Sequence, residues 1–473
     1  MAHIPKIVVS ELDNGITCIS SPNRNHNVSL TAARAGSAYD PQQRRGTGHL
    51  MEHEVMQKSS VHPADELDLL VLRLMGGWEG ADIRTDYTSV VFGHGDLRSK
   101  RHLRQAFNAF APAVRESILD ARGEPTVSIL DIDGHDSEKS AMHNEYRLDD
   151  TDVPENRVSE MLYENMWTTN PVRNRAGCNP DELIRVTLTD VKKFIRRWVA
   201  GRIFTVFVGL DHREARQLTE KHYGALKPSR VVEPDWSVFD LVPTLAGVRH
   251  IEDVHPGSHQ HHVAIGFPTN VMLSRDDESL DILTAVWRYR LYRRLRLENR
   301  KYNGGVYRTN TEIERSFLHG IIYTAFGTVG SYDYAMHLAE LVQQECDNLK
   351  RRMLSKNQQH TLDRQVAIVQ RNLYDGFYSA FNDEPSKAAN LLVHAFCNGD
   401  RQFKRLLQYP SRIKRLDRLR IQRVAETYMT TPDQMVRVVL KPLIIPGDVC
   451  DRAVTSVPEI AQYIDRFRAR PAS

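Results

Sequence analysis

The stretch RRGTGHLMEHEVMQ, residues 44–57, sets two histidines four apart with a glutamate directly before the second: His49, Glu52 and His53. The apolar spacing around Leu50, Met51 and Val55 reads as a helix that starts near Thr47. On a helix, positions i and i+4 project from one face, a turn apart. Two imidazoles so placed can take adjacent corners of a zinc tetrahedron. Glu52 points close to the same face, where it can take a proton from a water. The order H-x-x-E-H is the reverse of H-E-x-x-H. From five letters alone, a surface helix carrying two histidines is an equal reading. The rest of the chain has to decide.

The chain has 473 residues, room for two to four domains at about 150 residues each. Its 41% apolar and 26% charged residues are ordinary for a globular protein with a sizeable core. A net charge of +3 is too slight to point to nucleic acid. The basic stretches RRWVAGR, RYRLYRRLRLENRK and KRLDRLRIQR carry apolar residues at helical spacing, so they read as solvated helix faces. Cys18, Cys178, Cys346, Cys397 and Cys450 are scattered, without a C-x-x-C, and read as reduced thiols. The opening MAHIPKIVVSELDNG lacks the build of a signal peptide, and no apolar run approaches the ~18 residues of a membrane span. The expectation is a cytoplasmic protein with no membrane partner.

Read along its length, the chain gives two strands around Asp13-Asn14-Gly15, a third strand over 26–40, and then the histidine helix. Helices follow over 63–77, 103–119, 136–150, 154–167, 187–199 and 212–224, with strands over 81–95 and 202–210. The segment PSRVVEPDWSVFDLVPTL, residues 228–245, has three prolines and little periodicity, and reads as an inter-domain linker. After it the order partly repeats: strands over 261–269, 304–328 and 434–442, with helices over 277–300, 332–354, 359–379 and 385–396. The expected fold is α+β: two tandem homologous α/β domains, each an antiparallel sheet with helices packed on one face. They span residues 1–227 and 246–473, and the second has no H-x-x-E-H. The cluster His255, His259, His261 and His262 reads as surface residues ahead of a buried strand.

A catalytic zinc takes three protein ligands and keeps one open position. The stretch EKSAMHNE offers Glu138 and Glu145, seven apart and therefore on one helix face. With these residues in place the sequence resembles the M16 metallopeptidases, pitrilysin-like inverzincins, and in particular their short branch that includes the mitochondrial processing peptidase. The segments LDNGITCISSP, AGSAYD, GGWEGADIRTDYTSVVF and DDTDVPEN resemble that branch as well. So does RKYNGGVY, which sets Arg300 and Tyr307 in the spacing R-x-x-x-G-x-x-Y. The resemblance runs over essentially the whole chain. Gly80 stands where the family commonly has an asparagine. The interval from His53 to Glu145 is longer than the family's usual one, which leaves Asp136 and Glu138 as alternative ligands.

The resemblance implies a zinc-dependent endopeptidase acting on short or unfolded peptides in a closed chamber. It implies His49, His53 and Glu145 as zinc ligands, Glu52 as general base and Glu138 as a supporting carboxylate. It implies that Arg300 and Tyr307 hold the substrate backbone, and that the peptide adds as a strand near Ala81 and Ile83. Members of the branch pair two such chains, so a homodimer or a heterodimer with a related partner is expected. Some members keep the fold and lose the chemistry. The alternative is therefore a non-catalytic scaffold or a peptide-binding subunit of a heterodimer.

Overall fold

The computed structural model describes residues 6–443, except 23–26, 56, 64–65, 67–69, 71–83, 125–129, 148–152, 175–179, 230, 232, 244, 246, 299–305, 352 and 431–433. The first sheet contains β1 (Val8–Glu11), β2 (Thr17–Ser21), β3 (Asn27–Ala33), β4 (Arg84–Thr85), β5 (Val90–Leu97) and β6 (Ile203–Val208), in the order β1-β2-β6-β3-β5-β4. The second contains β7 (Gly247–His255), β8 (His261–Pro268), β9 (Thr309–Arg315), β10 (Gly320–Thr328) and β11 (Gln434–Pro442), in the order β7-β11-β8-β10-β9. The helices between the strands of the first sheet, and just after its last, are α1 (Thr47–Val55), α2 (Lys100–Ala121), α3 (Ile132–Tyr146), α4 (Pro154–Met166), α5 (Pro180–Leu183), α6 (Leu188–Phe194) and α7 (His212–Tyr223). Later come α8 (Asp277–Leu291), α9 (Tyr332–Lys350), α10 (Lys356–Asp383), α11 (Pro385–Cys397), α12 (Lys404–Lys414) and α13 (Arg418–Tyr428). No helix among the described residues is long and apolar enough to cross a membrane.

Setting β1 aside, the two sheets have the same strand order and the same pattern of directions. The tandem repeat expected from sequence pattern is therefore a repeat of topology. Two details differ from expectation. Each sheet is mixed: β2 pairs with β6, and β7 with β11, in parallel. The cause is that β6 and β11, each the last strand of its half, insert beside β2 and β7 and antiparallel to β3 and β8.

Nor is only one face of each sheet covered. On the first sheet, Phe92 and Phe207 pack with Phe107, Phe110 and Ile118 of α2. The other face, with Leu30, Val91, Phe204 and Val206, packs against Phe377 and Phe381 of α10 and Leu392 and Val393 of α11. The second sheet mirrors this. Its Val263, Ile265 and Phe267 meet Leu283 and Trp287 of α8, while Ala264, Ile321 and Val438 meet Val158, Met161 and Leu162 of α4. Each half thus lends a helix to the other half's sheet. Two-sided coverage explains why all seven residues of β3 and all eight of β8 are buried. Gly266 permits the approach of α4, since a Cβ there would lie 2.9 Å from Leu162 Cδ2.

The segment between the two sheets is a packed strap. Trp236 stacks edge-on to Tyr39 at 5.1 Å and to Phe317 at 5.5 Å. The Asp240 carboxylate accepts the backbone N–H groups of Thr168, Thr169 and Asn170 at 2.7–2.9 Å.

α8 follows β8 as α1 follows β3, yet its chemistry differs. Asp277 pairs with Arg315 at 3.1 Å, and buried Glu278 accepts from Arg405 at 3.1 Å and Arg412 at 2.7 Å. Removing Glu278 would take a buried carboxylate from between two half-buried arginines, leaving Arg405 with Asp277, at 3.4 Å, as its ion-pair partner. We expect Glu278→Ala to cost about 2 kcal/mol in urea unfolding, moderated because both guanidinium groups still reach water.

His319 gives a second check. It is buried against Tyr87, Tyr163 and Trp167, and burial holds its imidazole down to about 3. The unfolded chain takes up that proton below about 6.5 while the native state refuses it, so stability falls as pH drops through that value. His319→Leu should flatten this acid limb, read from urea midpoints at several pH values.

Candidate metal centre

α1 begins where Asp40 accepts the N–H groups of Gly46 and Gly48, each at 2.7 Å. Those donors have no partner inside the helix, and the carboxylate supplies one. Burial pushes Asp40 up to about 7. Leu50, Met51 and Val55 are buried in the core beneath the first sheet. That fixes the helix rotation and turns His49 and His53 toward α3.

α3 starts earlier than the sequence periodicity suggests, because Asp131 accepts the Gly134 N–H at 2.8 Å and caps it. Its inner face carries His135, Glu138, Met142 and Glu145, spaced three or four apart. α1 and α3 run antiparallel, as their contacts show. Lys58 meets Asp131, Glu54 meets His135, Gln57 and His53 meet Glu138, and His49 meets Glu145.

The far end of this ladder gathers His49, His53 and Glu145. One ligand atom of each lies within 4.8 Å of the others. His49 Nε2 and His53 Nε2 are 3.2 Å apart, and Glu145 Oε2 is 3.7 Å from the first and 3.3 Å from the second. Donors about 2.0–2.1 Å from a tetrahedral zinc would stand ~3.3–3.4 Å from one another. The triangle fits that ion. His53 is held at both nitrogens, with Nδ1 2.9 Å from Glu138 Oε2. Such a carboxylate fixes the tautomer and ring plane of a ligating histidine. Asp136 is exposed and outside the cluster.

Glu52 is buried beside the triangle, with Oε2 3.5 Å from His49 Nε2. Burial pushes its carboxyl up to about 7, with the Glu145 charge adding to the effect and His53 and Thr85 opposing it. His53 rises to about 10: burial works against its cation, and the hydrogen bonds to Glu138 and Glu145 outweigh it. Three glutamates around two imidazoles make a site that holds positive charge. β4, the edge of the first sheet, runs past this centre. Thr85 Oγ1 lies 3.4 Å from the Gly48 carbonyl of α1.

Tyr307 is not part of this cluster. It is 80% exposed, its ring lies 4.8 Å under the Arg296 guanidinium, and it lines a cavity of about 730 Å³ between the start of α4 and β9–β10. Among the described residues, the lining of that cavity includes none of His49, Glu52, His53, Glu138 or Glu145. Arg300, Ala81 and Ile83 lie outside the described residues, as do Gly80, Cys178, Cys450 and most of the helix expected over 63–77. His255, at the end of β7, is buried, not on the surface; so are His261 and His262, because β8 is covered on both faces. Asp40, Glu54 and His135 were missed in the sequence. Only Asp40 had a local signal, a carboxylate shortly before a helix start.

The description "Insulinase (Peptidase family M16)" matches residues 18–179, and "Peptidase M16 inactive domain" matches residues 185–367. Subunit 1 of the mitochondrial cytochrome b-c1 complex of Bos taurus is 22% identical over 60% of this chain and 56% of its own length. The alpha subunit of the mitochondrial-processing peptidase of Neurospora crassa is 24% identical over 47% of this chain and 36% of its own. The matches thus span about half or less of these relatives. A protease from Helicobacter pylori has the same fold, with a TM-score of 0.76 and 18% identity over 93% of this chain and all of the other.

The Asp40 cap can be tested without any metal. Asp40→Ala strips the acceptor from two N–H groups at the start of α1. It should lower stability by about 1–2 kcal/mol in denaturant unfolding.

Proposed function

Since the chain belongs to the M16 peptidase family, we propose that it is a zinc-dependent endopeptidase for short or unfolded peptides. The observation that carries this reading is the donor triangle of His49, His53 and Glu145, with the Glu52 carboxylate beside it but outside it. Bound zinc would supply Lewis acidity, polarising a peptide carbonyl and making water a better nucleophile. Glu52 takes the proton of the attacking water and returns it to the departing amine. Glu138 holds His53 in the tautomer that presents Nε2. The peptide lies as an added strand on β4, where backbone hydrogen bonds set its height beside α1 and its sequence matters little.

Tyr307, together with Arg300, belongs to the substrate-holding motif. Its exposure, and its separation from the metal cluster, suit a two-chain assembly in which these residues face the partner's centre across a closed chamber. The partner is a second copy or a related M16 chain. Two relatives are named as subunits, which also favours a second reading: a non-catalytic scaffold or the peptide-binding subunit of a heterodimer. The full donor set argues for the first, since a scaffold has no use for Glu52 next to two histidines and Glu145.

The test is hydrolysis of a quenched-peptide library by the purified chain beside Glu52→Gln. The wild type should cleave, a chelator should stop it, and the substitution should cut the rate by about 10²–10⁴-fold with zinc still bound. A Glu52→Gln variant as active as the wild type would sink the mechanism. Zinc bound at one per chain with no cleavage would favour the subunit reading.

A further inference from the structure

The residue after His53 is Glu54, and it points away from the metal cluster into the contact between α1 and α3. There its Oε1 lies 2.6 Å from His135 Nδ1, and both side chains are only 3% exposed. The His135 ring is held on its other side too, with Nε2 3.3 Å from the Val186 carbonyl. Lys139, one turn further along α3, donates to the carbonyls of Ile184 and Val186 at 3.0 Å. α3 is therefore fastened to α1 on one side and to the 184–186 segment on the other.

The remaining rungs between the two helices lie nearer to water. Lys58 and Asp131 are 30% and 38% exposed, and Glu138 is 21% exposed. Exposed pairs hold helices in place only weakly, whereas a buried hydrogen-bonded pair is satisfied in one register alone. His135 stands ten residues before Glu145, about 15 Å along the helix at ~1.5 Å per residue. A slip of one residue there would rotate Glu145 by about 100° and take it off the triangle.

We propose that Glu54 and His135 are a positioning pair: their buried contact sets the register of α3 on α1 and so presents Glu145 to His49 and His53. The inference rests on the metal-centre reading of that triangle. Neither residue touches the metal or the substrate. An apolar pair of similar volume would fill the same space and let the helices slide.

The test is zinc affinity of the full-length chain, by competition with a chromophoric chelator. The double variant Glu54→Leu with His135→Leu removes both partners and leaves no buried charge alone, so it should fold. Its zinc affinity should fall about 10- to 100-fold, the range seen when support of a metal ligand is lost. Its thermal midpoint without metal should stay near that of the wild type. Glu54→Gln keeps an acceptor for His135 and should restore most of the affinity. Wild-type affinity in the double leucine variant, or no rescue by glutamine, would overturn the positioning role and leave the metal centre standing. A wild-type chain that binds no zinc would overturn both.

Discussion

His53 is gripped at both ring nitrogens by carboxylates of one helix, and the candidate centre depends on that grip. Glu138 holds Nδ1 and Glu145 meets Nε2, so the ring cannot turn without breaking one contact or the other. Both glutamates stand on α3, two turns apart, which makes the placement of α3 against α1 the constraint from which the site follows. Everything that fixes those two helices contributes: the Asp40 cap that starts α1, the apolar underside of α1 in the core, and the buried Glu54–His135 contact.

The repeat of topology sets this site in contrast with its counterpart. α1 and α8 hold the same place in sheets of the same strand order. One presents imidazoles beside carboxylates, an arrangement that holds added positive charge. The other presents Asp277, Glu278 and Asp281 to Arg315, Arg405 and Arg412, so its charges are matched within the chain. One scaffold position thus carries the candidate metal centre in the first half and a structural ion-pair network in the second. The exchange of α4 and α11 across the halves ties the two units together, because each sheet would otherwise expose an apolar face.

Much of the local structure was legible in the residues. The four-residue interval of His49 and His53 gave their common face, and the seven-residue interval of Glu138 and Glu145 gave theirs. The helix expected over 187–199 begins at a Thr-x-x-Asp spacing, and there Thr187 and Asp190 form a capping box. Less was legible where a residue's meaning depends on what covers it. His261 and His262 looked like surface residues because their strand could not reveal a helix arriving from the other half. The strap over 228–245 looked loose because proline and polar content say nothing of where a tryptophan will dock.

Sequence by itself determined most of the helices and strands, though not β7, α12 or α13, and that two imidazoles and a carboxylate would share a face. Those are properties of short intervals, governed by backbone periodicity. Tertiary structure alone decided that Glu145, and not Asp136, completes the triangle. It also decided that Glu138 stands behind His53 and that Glu54 meets His135. These depend on the rotation and register of two helices far apart in the chain, which are set by core packing and by buried hydrogen bonds that no local pattern encodes.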